Sequence, residues 1–198
     1  MRIVTAQELE SWLASGLILE KDARGPKVLA LPCGAFLKIF YTRRSRLQAL
    51  LWPAARRFAK NTRKLHSLGI ASPSVTETFW IDRAAGLSGC LYTPLPGQSL
   101  EDLLQKSPTT LEDELPALAD FIKSLHHNGI YFRSLHLGNI LRLEQGGFGL
   151  IDVLDLQYFR RPLSKWKVQR NFQHMQSYLQ RRKLQRFPLE KLIELYSH

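Results

Sequence analysis

The chain has 198 residues, of which 44% are hydrophobic and 23% are charged. This composition excludes a disordered chain and is sufficient for one compact domain or two small lobes. The formal net charge of +11 favours anionic partners, namely nucleic acid, phosphorylated sugars or an acidic membrane surface.

The first half of the chain is predicted to begin with a short helix and a sheet. Thr5 and Glu8 have the spacing of a capping box, so a helix starts beside them. Short apolar runs separated by turn residues then predict a three-stranded meander, in LILEKD, KVLALP and AFLKIFY. Two more strands are predicted after residue 70, in ASPSVTETFWI and SGCLYTPLP.

Between these strand groups, residues 45–68 are predicted to be helical. Pro53 is expected to break or start this helix, and Gly69 is a natural end for it. Its apolar residues recur at helical spacing and define one stripe: Leu51, Phe58, Leu65 and Leu68.

The second half is predicted to be mainly helical. SLEDLL begins a helix, and TLEDELPALADFIKSLHHNG is the clearest helix of the chain. The apolar face of that clearest helix consists of Leu115, Leu118, Ile122 and Leu125. A strand pair follows in NILRL and GLIDVLDL, turned by EQGG, and the tail from Pro162 is helical and basic.

This order predicts an α+β fold with an antiparallel N-terminal sheet lobe and a mainly helical C-terminal lobe. We assign residues 1–93 to the sheet lobe, on the nucleotide side, and residues 94–198 to the helical lobe. TPLPGQSL is the predicted hinge between them.

The segment FRSLHLGNIL followed by GLIDVLDL resembles the catalytic and metal-binding segments of the protein-kinase-like superfamily. The pattern is His-x-Asp-Leu-x-x-x-Asn followed by an Asp after the next hairpin, and Asn139 and Asp152 hold those Asn and Asp positions. Together with KLHSLGIASPSV and the small size, the chain looks most like the lipopolysaccharide core kinases that phosphorylate Kdo or heptose sugars in Gram-negative bacteria. YFRSLHLGN is similar to the toluene-tolerance proteins of that group.

The resemblance implies ATP and Mg²⁺ as cofactors. Mg²⁺ prefers a few hard oxygen ligands, which the Asn139 amide and the Asp152 carboxylate would supply. Lys38 stands where the superfamily keeps its phosphate-binding lysine, inside the apolar run AFLKIFY. A charge there needs a partner such as phosphate; the alternative is that Lys38 snorkels from an edge strand.

The chain departs from the superfamily pattern at several positions. Ser134 replaces the catalytic Asp, and Phe132 replaces the preceding His, so that the loop's internal hydrogen bond is lost or remade. No acidic residue lies between Asp22 and Glu77, so the helix that follows the meander lacks the Glu that pairs with the lysine; Phe58 takes that place. The turn DARGP is too short for a glycine-rich phosphate loop.

Ser134, His136 and Asp155 are the candidate catalytic residues. Ser134 occupies the position of the base, but a serine of ordinary pKa is no general base. His136, on the same loop, could titrate near neutral pH and substitute for it; the alternative is loop packing. Asp155 could also face the site; the alternative is a cap at a strand end.

Two segments are basic and free of acids. The first, residues 43–64, presents Arg56, Lys60, Arg63 and Lys64 on one helical face. The second, residues 160–186, is interleaved with aromatic residues, namely Phe159, Trp166, Phe172 and Tyr178. Cations among aromatics suit a membrane interface or stacked bases, and because no nucleic-acid motif accompanies them, we favour a phosphorylated glycolipid at the cytoplasmic membrane face.

The chain has two cysteines, and neither has a metal-ligand or redox spacing. It also shows no signal sequence and no apolar run of about 18 residues. We therefore expect a cytoplasmic protein, peripheral at the inner face of the inner membrane. The expected function is ATP-dependent phosphorylation of a lipopolysaccharide core sugar, impaired by Ser134. The alternatives are a pseudokinase acting as a binding or regulatory module in envelope biogenesis, and a basic nucleic-acid-binding protein.

Overall fold

The computed structural model describes residues 1–41 and 46–198. They form two compact units, Met1–Leu95 and Pro96–His198. The functional roles assigned to residues 1–93 and 94–198 remain predictions.

The N-terminal unit is built on a six-stranded sheet in the order β1-β5-β6-β4-β3-β2. Its pairs are antiparallel except for β1 and β5, which run parallel. The strands are β1 (Arg2–Ile3), β2 (Leu17–Asp22), β3 (Gly25–Ala30), β4 (Phe36–Phe40), β5 (Ser74–Asp82) and β6 (Leu87–Thr93). The predicted meander, β2 to β4, and the two later strands are confirmed.

One face of this sheet forms the core of the unit. Leu29, Leu37 and Phe79 are fully buried on it, as the two-residue period of a strand requires. Helix α1 (Ala6–Ser15) covers this core, since the Trp12 ring lies 5.2 Å from the Phe79 ring. The predicted cap is confirmed, because the Glu8 amide donates to Thr5 Oγ1 at 3.2 Å.

The helical stretch predicted at residues 45–68 is two helices, α2 (Arg46–Leu51) and α3 (Ala54–His66). Pro53 precedes the first residue of α3, as expected of a residue that cannot donate within a helix. Phe58 and Leu65 are buried, but Leu51 is 65% exposed, so its assignment to the buried stripe was wrong. The break at Pro53 turns α2 out of register with α3, which is why one period does not describe both.

The C-terminal unit contains α4 (Leu100–Lys106), α5 (Pro108–Asp113), α6 (Leu115–His127), α7 (Lys165–Arg182) and α8 (Leu189–Ser197). The apolar face predicted for residues 115–125 is confirmed, since all four of its residues are buried. The single helix predicted there is instead α5 and α6, which meet at Glu114. Pro116 lies in the first turn of α6, where a missing N–H costs least.

Short strands position the loops of this unit. They are β7 (Gln98–Ser99), β8 (Ile130–Phe132), β9 (Ile140–Arg142), β10 (Phe148–Leu150) and β11 (Leu156–Tyr158). β9 and β10 form the predicted hairpin, which β7 extends, while β11 pairs with β8. GLIDVLDL was predicted as one strand but forms two, with a 3-10 turn at Val153–Asp155 between them.

Within residues 1–41 and 46–198, none of the helices combines the length and the apolar character needed to cross a bilayer.

Candidate active site

The loop between β8 and β9 carries Ser134, His136 and Asn139. It turns tightly, because the Leu135 amide donates to the Phe132 carbonyl at 3.0 Å and the Asn139 amide donates to the His136 carbonyl at 2.8 Å. A 3-10 turn at Leu137–Asn139 then leads into β9. The backbone therefore brings all three side chains onto one short loop, where sequence spacing alone predicted them.

Asp155 lies next to Ser134. Ser134 Oγ donates a hydrogen bond to Asp155 Oδ2 at 2.8 Å, and Arg133 Nε lies 3.6 Å from the same oxygen. Asp155 Oδ1 is buried and has no hydrogen-bond partner among the residues described. Burial raises the pKa of this carboxyl, and the Ser134 hydrogen bond partly opposes the rise. A carboxylate from the turn after β10 thus reaches the loop position where the superfamily pattern has its own Asp.

Asn139 and Asp152 lie at the open end of the β9–β10 hairpin. Ile140 pairs with Leu150, and the Ile151 amide donates to the Asn139 carbonyl at 3.0 Å, so Asp152 follows directly after a residue bonded to Asn139. Asp152 adopts a left-handed backbone, with φ of 50°, which is uncommon outside glycine and tends to mark functional turns.

The Asn139 side chain is oriented by the loop itself. Its Nδ2 donates to the Ser134 carbonyl at 3.0 Å and approaches His136 Nε2 at 3.3 Å. With the amide nitrogen held on this side, Oδ1 is directed the other way and is suited to a cation. No cluster of three His, Cys, Asp or Glu side chains able to hold a metal occurs in the described part of the chain.

His136 is a packed residue rather than a freely titrating one. Its ring stacks on Tyr178 with centroids 3.8 Å apart and planes 5° from parallel. Burial lowers its pKa to about 4, against the opposing effects of Glu101 and Asp152. The expectation that His136 titrates near neutral pH was therefore wrong; its role as a base stays a prediction, and the geometry favours the loop-packing alternative.

Glu101 and Tyr178 are site residues that sequence reasoning missed. Glu101 on α4 is only 8% exposed; it accepts a hydrogen bond from Tyr178 Oη and two from Arg182, at 2.9 and 2.7 Å. Gly138 leaves room for this group, since a Cβ there would lie 2.6 Å from Tyr178 Oη. A chain of contacts therefore runs from Arg182 through Glu101, Tyr178 and His136 to Asn139.

The loop bond that Phe132 was expected to lose is remade from another helix. Asn171 Nδ2 donates to the Phe132 carbonyl at 2.7 Å, and Asn171 Oδ1 lies 3.1 Å from His126 Nε2. His126 Nδ1 in turn lies 3.0 Å from Tyr196 Oη. Burial lowers the pKa of His126 to about 4, so the ring is neutral at pH 7. Asn171 and Tyr178 are one heptad apart on α7, on the face of its buried residues, which is the signal that could have identified them.

Lys38 belongs to the N-terminal unit. Its strand, β4, lies inside the sheet between β6 and β3, so the alternative that Lys38 snorkels from an edge strand was wrong. Its Nζ lies 5.8 Å from the Phe58 ring and 6.0 Å from the Phe40 ring, within the range of cation–π contacts. Phe58, on α3, thus contacts Lys38 from the position where the superfamily pattern has a carboxylate. The convergence of Lys38 with Asn139 and Asp152 remains a prediction.

The residues of the two basic segments differ in exposure. Arg56, Lys60, Arg63 and Lys64 are exposed on α3, whereas residues 42–45, with two of the predicted arginines, lie outside the described residues. In the second segment Phe172 is core and Tyr178 belongs to the site. Trp166 is 63% exposed and contacts Lys167 at 5.4 Å.

No family model matches this sequence, and none of the curated proteins matches it. Among solved structures, the chain aligns with the co-crystal structure of WbdD and the kinase inhibitor LY294002, at a TM-score of 0.52 and 17% identity, over 86% of this chain and 41% of that one. A second WbdD crystal structure, at 2.2 Å resolution, aligns at a TM-score of 0.44 and 18% identity, over 67% of this chain and 30% of that one. The chain spans less than half of the WbdD chains.

The likeness to WbdD and the architecture together define the class of fold. The protein has an α+β fold of the small kinase-like type, with an N-terminal six-stranded sheet and a helical remainder. The predicted fold class is confirmed.

Proposed function

We propose that this protein is a phosphotransferase that uses Mg-ATP to phosphorylate a sugar hydroxyl of lipopolysaccharide, with Asp155 as its general base. The observation that carries the proposal is the buried Asp155 Oδ1, which has no hydrogen-bond partner in the described residues. A buried carboxylate oxygen without a donor is costly, and an acceptor hydroxyl would supply that donor.

Ser134 acts in this proposal as a positioning residue. Its hydroxyl donates to Asp155 Oδ2 at 2.8 Å, which fixes the carboxyl plane and leaves Oδ1 as the atom that takes a proton. The raised pKa of Asp155 makes it a stronger base than an exposed aspartate. Asp155 Oδ1 takes the proton of the sugar hydroxyl, whose oxygen bonds to the γ-phosphorus of ATP while the bond to the bridging oxygen breaks and ADP leaves.

Asn139 and Asp152 are the proposed metal ligands. Their oxygens, an amide and a carboxylate on adjoining backbone segments, match the few protein ligands that Mg²⁺ takes when phosphates complete its shell. Bound Mg²⁺ would neutralise phosphate charge, which is a main part of catalysis in phosphoryl transfer. His136 and Tyr178 would hold the Asn139 amide in place. Lys38 would contact the nucleotide phosphates, and the kinase inhibitor bound by WbdD supports a nucleotide site in this fold.

The acceptor is proposed on charge and resemblance. A net charge of +11 suits a phosphorylated core sugar or another anionic glycolipid, met at the inner face of the inner membrane.

One observation favours the pseudokinase alternative. Phe58 stands where the superfamily pattern has the Glu that pairs with this lysine, and its ring lies 5.8 Å from Lys38 Nζ. A protein of this kind would act as a binding or regulatory module and would not transfer phosphate.

The test is phosphate transfer from ATP to lipopolysaccharide core oligosaccharide, measured beside a thermal shift with Mg-ATP. Transfer that Asp155→Asn abolishes supports the proposal. A thermal shift without transfer to any core sugar would support the pseudokinase. Absence of both would overturn the two proposals together.

A further inference from the structure

Helix α2 presents its apolar side to solvent. Leu47, Leu50 and Leu51 have the i, i+3, i+4 spacing of one helix face, and they are 69%, 38% and 65% exposed. Trp52, directly after the helix, is 64% exposed. These residues form what we call the α2 apolar stripe. The helix contacts the protein instead through the small side chain of Ala49, which is 5% exposed.

In the sequence, the stripe is followed at once by α3 and its basic face. Arg56 comes four residues after Trp52, so their Cα atoms are at most roughly 14 Å apart. Lys60, Arg63 and Lys64 continue the exposed basic face along α3. No acidic residue lies anywhere between Asp22 and Glu77, so no carboxylate of this stretch offsets the positive charge.

We propose that the α2 apolar stripe inserts into the headgroup region of an anionic lipid bilayer while the basic face of α3 contacts the lipid phosphates. Leucine and tryptophan side chains with a cationic flank are the composition of interfacial membrane helices. A nucleic acid would match the cations but not the leucines, because bases stack on flat aromatic faces. The charge complementarity to an acidic leaflet and the exposed leucines therefore point to lipid.

The proposal goes beyond phosphotransfer and does not depend on it, because lipid binding is measured without nucleotide. It adds the exposed apolar residues of α2 to the basic face of α3, for which the sequence already suggested a contact with anionic lipid.

The experiment measures partition of the full chain onto vesicles of phosphatidylethanolamine with phosphatidylglycerol, and onto neutral phosphatidylcholine vesicles. Each leucine that leaves water contributes roughly tenfold to partition. Leu47→Gln/Leu51→Gln is therefore expected to weaken binding to acidic vesicles by at least about tenfold. The matched control is Leu17→Gln/Leu19→Gln, because these leucines of β2 are 68% and 50% exposed but lie on an edge strand beside Glu20.

The charge contribution is tested separately. Each cation near an acidic leaflet contributes roughly fivefold, so replacing the four basic residues of the α3 face by Glu should weaken partition by at least about a hundredfold. Added salt should reduce wild-type binding in the same direction.

Trp52 reports insertion directly. In a Trp166→Phe background, which removes the other highly exposed tryptophan, acidic vesicles should shift Trp52 emission to the blue and protect it from acrylamide. Circular dichroism melts should show that the exposed substitutions leave the fold intact.

Equal partition of wild type and the stripe variant would overturn the proposal. So would equal binding to neutral and acidic vesicles, or a Trp52 that stays quenchable when bound. RNA binding that the stripe substitutions leave unchanged, without vesicle binding, would show that the surface serves nucleic acid instead.

Discussion

Asp155→Asn separates catalysis by Asp155 from any structural role. The amide keeps the shape of the side chain, and its Oδ1 can still accept the hydrogen bond that Ser134 now donates at 2.8 Å. Only the proton-accepting carboxylate is lost. General-base catalysis contributes ~10²–10⁴-fold, so phosphate transfer should fall by that factor, which is about 3–5 kcal/mol of transition-state stabilisation.

The same substitution should not destabilise the protein at pH 7. Burial raises the Asp155 pKa, so the folded state holds this proton more tightly than the unfolded state does. Protonated Asp155 therefore contributes to the free energy of unfolding below the ordinary aspartate pKa, and this contribution is lost as pH rises through the raised pKa of the folded state. At pH 7 the buried charge is a cost that Asn removes, so the melting temperature should be equal to or above that of wild type. The matched control is Asp120→Asn, on the exposed side of α6, which should change neither property.

The pH profile and a swap of the base complete the test. Transfer by wild type should fall on the acidic side with a midpoint above that of an ordinary aspartate, because the base must be deprotonated. Ser134→Asp in the Asp155→Asn background returns a carboxylate to the loop and should recover at least roughly tenfold of the lost rate. Ser134→Asp alone places two carboxylates together, which raises the pKa of one of them strongly. Its transfer rate should therefore increase over wild type by a smaller factor than the swap increases the rate of Asp155→Asn.

Full transfer activity in Asp155→Asn, or no recovery in the swapped variant, would refute the assignment of the base to Asp155. The phosphotransferase proposal would then rest on another group.

Three further predictions concern the nucleotide, the loop and pH. Asp152→Ala should remove the Mg²⁺-dependent part of the thermal shift by ATP, a stabilisation of about 2.7 kcal/mol at a hundredfold excess over Kd; scanning fluorimetry with and without EDTA measures it, and an unchanged shift argues against Asp152 as a ligand. Gly138→Ala should cost about 1–3 kcal/mol in urea unfolding, because its Cβ would lie 2.6 Å from Tyr178 Oη; Tyr178→Phe should relieve most of that loss, and equal losses in both backgrounds would contradict the stated contact. The lowered pKa of His126, from 6.5 to about 4, gives stability that is complete above pH 6.5 and falls as pH drops towards 4 by up to about 3 kcal/mol. When the melting temperature is measured between pH 7 and pH 4, its fall with decreasing pH should be smaller in His126→Gln than in wild type but unchanged in His127→Gln. An equal fall in all three proteins would disprove the role of His126.

Much of the fold could be predicted because its signals are local. Alternation along β4 and the apolar period of α6 each set which side chains face inward, and the structure agrees with both. The prediction that Leu51 shares a face with Phe58 was wrong because Pro53 separates two helices with independent faces. Local periodicity describes one element at a time and carries no information across such a break.

The loop positions of Ser134, Asn139 and Asp152 could be predicted from spacing along one hairpin. Their surroundings could not, because Glu101 and Tyr178 meet the loop from distant helices. A carboxylate in the first turn of a helix and a tyrosine in a basic segment are each common on a surface, and only the tertiary structure shows that they contact one another. The aromatics of residues 159–178 were taken together as a lipid-facing set for the same reason.

The dependence of the loop on Glu101 and Arg182 has a consequence for how the protein is made. Their hydrogen bonds join residues far apart in the chain, and Arg182 emerges from the ribosome well after the loop it supports. Until then, the Glu101 carboxylate has no guanidinium partner and Asn139 has no Tyr178 stack behind its histidine. A chain interrupted within α7 would thus contain every residue of the kinase-like motif and still lack the contacts that support the Asn139 loop.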